Sequence, residues 1–81
     1  MKKFKKVNPG KTVTVGEKKY IFDASAAGKF NTLVRAAQMA ANDEELLAGI
    51  MKREIDMPVL YGAAFETDPI SFGGLIKALD G

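Results

Sequence analysis

Hydrophobic and polar positions change period along the chain. Residues 12–22 alternate: Thr12-Val13-Thr14-Val15, a Gly16-Glu17 break, then Lys18-Lys19-Tyr20-Ile21-Phe22. A two-residue loop with Gly first suits a type II′ hairpin. Such a loop pairs Val15 with Lys18, Val13 with Tyr20 and Lys11 with Phe22. Opposed residues share a face. One face therefore gathers Val13, Val15, Tyr20 and Phe22, and the other Thr12, Thr14, Lys19 and Ile21. Ahead of the hairpin, Asn8-Pro9-Gly10 is a type II turn signal, because Pro fixes φ at its second position and Gly supplies positive φ at its third. Carried back through that turn, the same pairing sets Phe4 opposite Val15 but Lys6 opposite Val13. Residues 4–7 thus read either as an irregular third strand or, within residues 1–7, as a loose basic arm.

Beyond residue 23 the period becomes helical. Phe30, Leu33, Val34, Ala37 and Ala41 share one helical face, with Asp23 or Ser25 as N-cap and Asn42 at the end. Leu46, Leu47, Ile50, Met51 and Ile55 form a second stripe behind Asn42 or Asp43 as cap. Acidic Asp43-Glu44-Glu45 at its start and Lys52-Arg53 near its end complement the helix dipole, and Pro58 is its expected stop. Asp68-Pro69 reads as N-cap and first residue of a third helix, with Phe72, Leu75, Ile76 and Leu79 as its stripe and Gly81 as cap. Gly73-Gly74 inside that stripe costs about 2 kcal/mol of helix propensity. It calls for close approach by another element or for a helix that starts late. Residues 57–65 (Met-Pro-Val-Leu-Tyr-Gly-Ala-Ala-Phe) carry no charge. They read as a connector that is either buried or an interaction surface.

Composition narrows the picture. With 81 residues the chain makes one small α+β domain, residues 1–81. The expected architecture is an N-terminal β-hairpin, with or without a third strand, packed against two to three short helices. A domain of this size buries only about 60–65% of its unfolded surface, so a partner that adds burial is favoured. The absence of Cys and His removes disulfides, thiolate chemistry and the usual zinc ligands. Residues 1–22 carry seven Lys against Glu17 alone, whereas residues 23–81 carry five basic and nine acidic residues. No apolar core follows the N-terminal lysines as a signal peptide requires, and no run approaches a membrane span. A cytoplasmic location, or incorporation in an assembled particle, is the expectation.

Each chemical candidate has a plainer reading. Lys5, Lys6, Lys11, Lys18 and Lys19 around a hairpin with Tyr20 and Phe22 resemble a nucleic-acid contact surface. The hairpin register instead turns both aromatics inward and leaves the lysines as solvated edge protection. Adjacent helical carboxylates diverge, so Asp43-Glu44-Glu45 does not converge on one ion. Gly10-Lys11-Thr12 lacks the first Gly, the preceding strand and the following helix of a phosphate-binding loop. Ser25 and Ser71 have no His base. No catalytic residue, metal site, cofactor or small-molecule substrate is assigned, and the chain is not expected to be an enzyme. Met57, Val59, Leu60, Tyr61, Phe65, Phe72 and Leu75 are the candidate protein interface, because apolar and aromatic residues without charge characterise interface cores.

The expected function is a non-catalytic protein–protein interaction module, a structural or assembly component that binds itself or another protein. The order of hairpin and helices in so small a chain resembles small structural proteins of tailed bacteriophages, which implies a place in a larger particle. A nucleic-acid-binding or regulatory protein using the Lys-rich hairpin, and an inhibitor of a host enzyme, are the alternatives.

Overall fold

The computed structural model of the chain describes residues 4–40 and 42–80. The fold is α+β. Strands β1 (Thr12–Val15) and β2 (Lys18–Ile21) are followed by helices α1 (Ala24–Met39) and α2 (Glu44–Met51), strands β3 (Glu54–Tyr61) and β4 (Ala64–Ser71), and helix α3 (Phe72–Asp80). The four strands form one antiparallel sheet in the order β1-β2-β3-β4.

The first hairpin has the register its sequence dictates, with Val15 opposite Lys18 and Val13 opposite Tyr20. Gly16 takes φ +63° at the first loop position, where a side chain would be strained. The Asn8-Pro9-Gly10 turn also forms. The Lys11 amide donates to the Asn8 carbonyl (3.2 Å), with Gly10 at φ +97°. Gly10 and Lys11 together oppose Phe22, whose carbonyl accepts from the Gly10 amide (2.7 Å) and whose amide donates to the Lys11 carbonyl (2.8 Å). This is a G1-type bulge, and it ends β1.

Residues 4–7 are therefore not a third strand. They lie against α1, where the Asn31 side chain accepts from the Val7 amide (2.8 Å) and donates to the Val7 carbonyl (2.9 Å). The Gln38 amide donates to the Phe4 carbonyl (2.9 Å). The Phe4 ring stacks 6.2 Å from Phe72. Residues 4–7 are thus fixed rather than loose, and Lys6 escapes the core position that strand pairing would impose. Residues 1–3 of the expected arm, together with Ala41 and Gly81, lie outside the described residues.

The second hairpin corrects the reading of residues 52–71. The helix expected to reach Ile55 ends at Met51, and Ile55 belongs to β3. Ile55, Met57 and Val59 are buried at alternate positions, a strand pattern that overlaps helical spacing only at Ile55. Gly62-Ala63 closes the turn, with Gly62 at φ +62°, so the charge-free stretch is a hairpin end rather than a connector. Pro58 lies inside β3 instead of stopping a helix. The β2–β3 ladder ends at Tyr20–Val59, one step before Pro58, which has no N–H to donate. Asp68-Pro69 lies in β4, at a sheet edge that tolerates proline, and does not start α3. The cap of α3 is Ser71, whose Oγ accepts from the Gly74 amide (3.0 Å).

Helices α1 and α3 cover one face of the sheet, and α2 packs against both of them. Asp23 caps α1 by accepting from the Ala26 amide (2.8 Å), and Asp43 caps α2 by accepting from the Leu46 amide (3.1 Å). Helix α1 stops at Met39, before Asn42. Leu46, expected on the buried stripe, is exposed, whereas Ile50 is buried. A Phe22–Phe30–Phe72 row ties the residue after β2 to α1 and α3 at ring distances of 5.1 and 5.0 Å. The glycine pair has its reason. A Cβ on Gly73 would meet the Met51 carbonyl oxygen at 3.2 Å, and one on Gly74 would meet the Ser71 Oγ at 3.1 Å.

Candidate protein interface

Register assigns each strand residue to a face. The inner face, toward the helices, holds Val13, Tyr20, Phe22, Ile55, Met57 and Val59, all buried. The outer face holds Thr12, Thr14, Lys19, Glu54, Asp56, Thr67 and Pro69, all exposed, together with half-buried Ile21 and Pro58, with no described helix against it. Near the helices the sheet is thus apolar inside and mainly polar outside.

This division weakens toward the two hairpin turns, where both faces carry exposed apolar residues. The molecule measures 42 × 22 × 18 Å, so its long axis far exceeds its thickness. At the turn end the inner face carries Val15, Lys18, Tyr61 and Ala64, with Glu66 opposite Val59 and Asp68 opposite Met57 further along, and the outer face carries Leu60 opposite Phe65. Phe65 is 69% exposed, Tyr61 44% and Val15 41%. Leu60 is half-buried.

Two polar pairs form here. The Lys18 ammonium donates to the Asp68 carboxylate. That hydrogen bond raises the Lys18 pKa above the ordinary lysine value; desolvation opposes it, and the neighbouring carboxylates Asp68 and Glu66 add to it. The Tyr61 hydroxyl donates to Glu17 (3.0 Å), and the Lys18 ammonium lies 6.0 Å from the Tyr61 ring centre. On the outer face the Phe65 side chain has only Leu60 directly opposite it and stays mostly exposed.

The seven candidate interface residues therefore separate. Met57, Val59, Phe72 and Leu75 are fully buried within one chain. Leu60, Tyr61 and Phe65 reach the surface at the turn end. Strand alternation divides the first five, and the fold brings the surface three into one hairpin. The five lysines also separate. Lys5, Lys6 and Lys11 line a groove of about 360 Å³ with Val7, Ile76, Leu79 and Asp80. Lys18 lies on the inner face and Lys19 on the outer, so these two share no surface with each other. Among the described residues no group of three His, Cys, Asp or Glu side chains is arranged to hold a metal ion. No described helix is long and apolar enough to cross a membrane.

Two contributors to this site are absent from the set that the sequence pattern picks out: the exposed Val15 end of β1 and the free edge of β4. The signal that could have found the β4 edge is the Gly62-Ala63 turn, whose Gly-first pattern matches Gly16-Glu17. No protein-family model matches the chain, and no curated protein or solved structure matches it significantly.

Proposed function

We propose that this protein is a non-catalytic protein–protein interaction module, a small component of a larger assembly. Its docking surface is the outer face of the sheet at the turn end. The observation that carries this reading is exposed apolar surface at the turn end. Leu60 and Phe65 form an apolar pair on the outer face, and Phe65 is left mostly exposed. An exposed apolar patch of this kind marks an interaction surface.

Magnitude decides how such a surface works. Covering Phe65 and the rest of Leu60 contributes roughly 2–4 kcal/mol. Association costs about 4–15 kcal/mol of lost translational and rotational freedom. The apolar pair is therefore an anchor that acts together with further contacts, for which the open sheet edges and the outer-face Thr14 and Lys19 are available.

The test is site-specific photocrosslinking in the cells that produce the protein. A photoreactive phenylalanine at position 65 is compared with one at the exposed helix position Arg35. Discrete adducts from position 65 and none from position 35 are expected. Equal, diffuse labelling from both positions, or no adduct from position 65, contradicts the proposal.

A further inference from the structure

We infer that the partner at this end of the sheet is a second copy of the chain, with β4 of one copy pairing antiparallel with β1 of the next. This rests on the interaction reading above and names the partner that the reading requires.

Hydrogen-bond parity identifies the free backbone groups. Residues that flank a two-residue loop form a hydrogen-bonded pair, and pairs alternate from there. Tyr61–Ala64 and Val15–Lys18 are the flanking pairs. In β4 the backbone groups of Phe65, Thr67 and Pro69 therefore point away from β3. In β1 those of Thr12 and Thr14 point away from β2. Among the described residues, no backbone hydrogen bond beyond the sheet engages Thr12, Thr14, Phe65 or Thr67. Unpaired edges of this kind are templates for strand addition.

The two edges also match in length and charge. The β4 edge stops at Pro69, which has no N–H. The β1 edge stops at the Gly10 bulge. With Pro69 set beside Gly10 of the second copy, Phe65 faces Thr14 and Thr67 faces Thr12, outward groups meeting outward groups. On the inner face Asp68 then faces Lys11 of the second copy, and Glu66 lies diagonal to it. Opposed charges across strands favour pairing. On the outer face Phe65 comes to lie between Leu60 of its own chain and Thr14 of the next. Pairing β4 with β4 instead would set Glu66 and Asp68 against their own copies, which like charge disfavours. Pairing β1 with β1 would leave Phe65 uncovered. The β4–β1 contact joins two different patches, so it generates rings or filaments rather than a closed two-fold dimer.

Light scattering after size exclusion, over a concentration series, tests this with five proteins: wild type, Thr67→Pro, Lys11→Glu, Asp68→Lys and Phe65→Asp. Wild type is expected to increase in mass with concentration. Thr67→Pro removes only an outward N–H, and is expected to remain folded by circular dichroism and to lose the higher-mass species. Lys11→Glu alone and Asp68→Lys alone each set like charges across the contact, and each is expected to associate roughly fivefold or more weakly. Mixed in equal amounts, these two are expected to regain association, because every junction between unlike copies again pairs opposite charges. Wild type that stays monomeric at every concentration overturns the inference. So does association that survives Thr67→Pro and both charge changes. If association is lost only on Phe65→Asp, the outer face is used without the edge: the inference fails and the interaction reading stands. If wild type is monomeric and position 65 also yields no crosslinked partner, both fail.

Discussion

The two ends of the four-stranded sheet are built from similar residues and put to different use. At the helix end, Ile55, Met57 and Val59 alternate with Glu54, Asp56 and Pro58, and the apolar set meets Phe22, Phe30 and Phe72 in a closed core. At the turn end, Tyr61 and Ala64 point the same way as that core but lie beside Lys18 and Val15 rather than under a helix residue of the closed core, and the apolar pair Leu60–Phe65 faces outward. One end satisfies its apolar surface within the chain. The other pairs Lys18 with Asp68 and Tyr61 with Glu17 and leaves Phe65 and the β4 backbone edge exposed. Under the proposed self-association, substitutions at the two ends are predicted to act differently, one on stability and the other on association.

The largest effect is expected at the helix end. Phe30 is fully buried between Phe22 and Phe72. Phe30→Ala is predicted to destabilise the fold by about 3–5 kcal/mol. That is a large share of the total for a domain of this size, and urea unfolding would measure it. At the turn end, Phe65→Asp is predicted to change unfolding free energy by no more than about 0.5 kcal/mol in dilute solution while abolishing association. A large loss of stability from Phe65→Asp would mean that the turn end is core after all.

Glycines sharpen the same contrast. Gly28 lies on an open helix surface, where a Cβ would meet nothing within 4 Å. Gly28→Ala is therefore predicted to stabilise by about 0.5–1 kcal/mol. Gly73→Ala gains the same propensity but drives its methyl against the Met51 carbonyl oxygen, which is backbone and yields little. It is predicted to be neutral or destabilising. Comparing the two melting temperatures isolates the helix–helix contact.

The smallest effect concerns Lys18. Its pKa is raised in the folded chain by the Asp68 hydrogen bond. A raised lysine pKa contributes stability that is fully present below the unfolded value of about 10.4, and is lost as pH rises through the folded value. Wild type and Lys18→Met are therefore predicted to converge in stability only above about pH 10.4. Exposure of the pair keeps the difference small.

Local signals are legible in the sequence where one period has no competitor. Thr12–Val15 and Lys18–Ile21 fit only a strand, and Gly16-Glu17 sets their register. Asp23 and Asp43 serve as helix caps as their positions imply. The second hairpin is obscured because Ile55 satisfies both the helical stripe from Met51 and the strand alternation to Met57. Pro58 and Pro69 are equally ambiguous. Both are common helix punctuation, yet one ends a ladder between strands and the other occupies an open edge. The candidate interface is legible as a charge-free segment but not as a face, because which of Val59 and Leu60 turns outward depends on a pairing across Gly62-Ala63.

The most direct test is residue-resolved amide hydrogen exchange of the wild-type protein over a concentration series. The amides of Met57 and Val59 are predicted to exchange slowly at every concentration. Those of Phe65 and Thr67 exchange rapidly when dilute and become protected as concentration rises, together with Thr12 and Thr14. Edge amides whose exchange is the same at every concentration would contradict the assignment of the turn end to self-association.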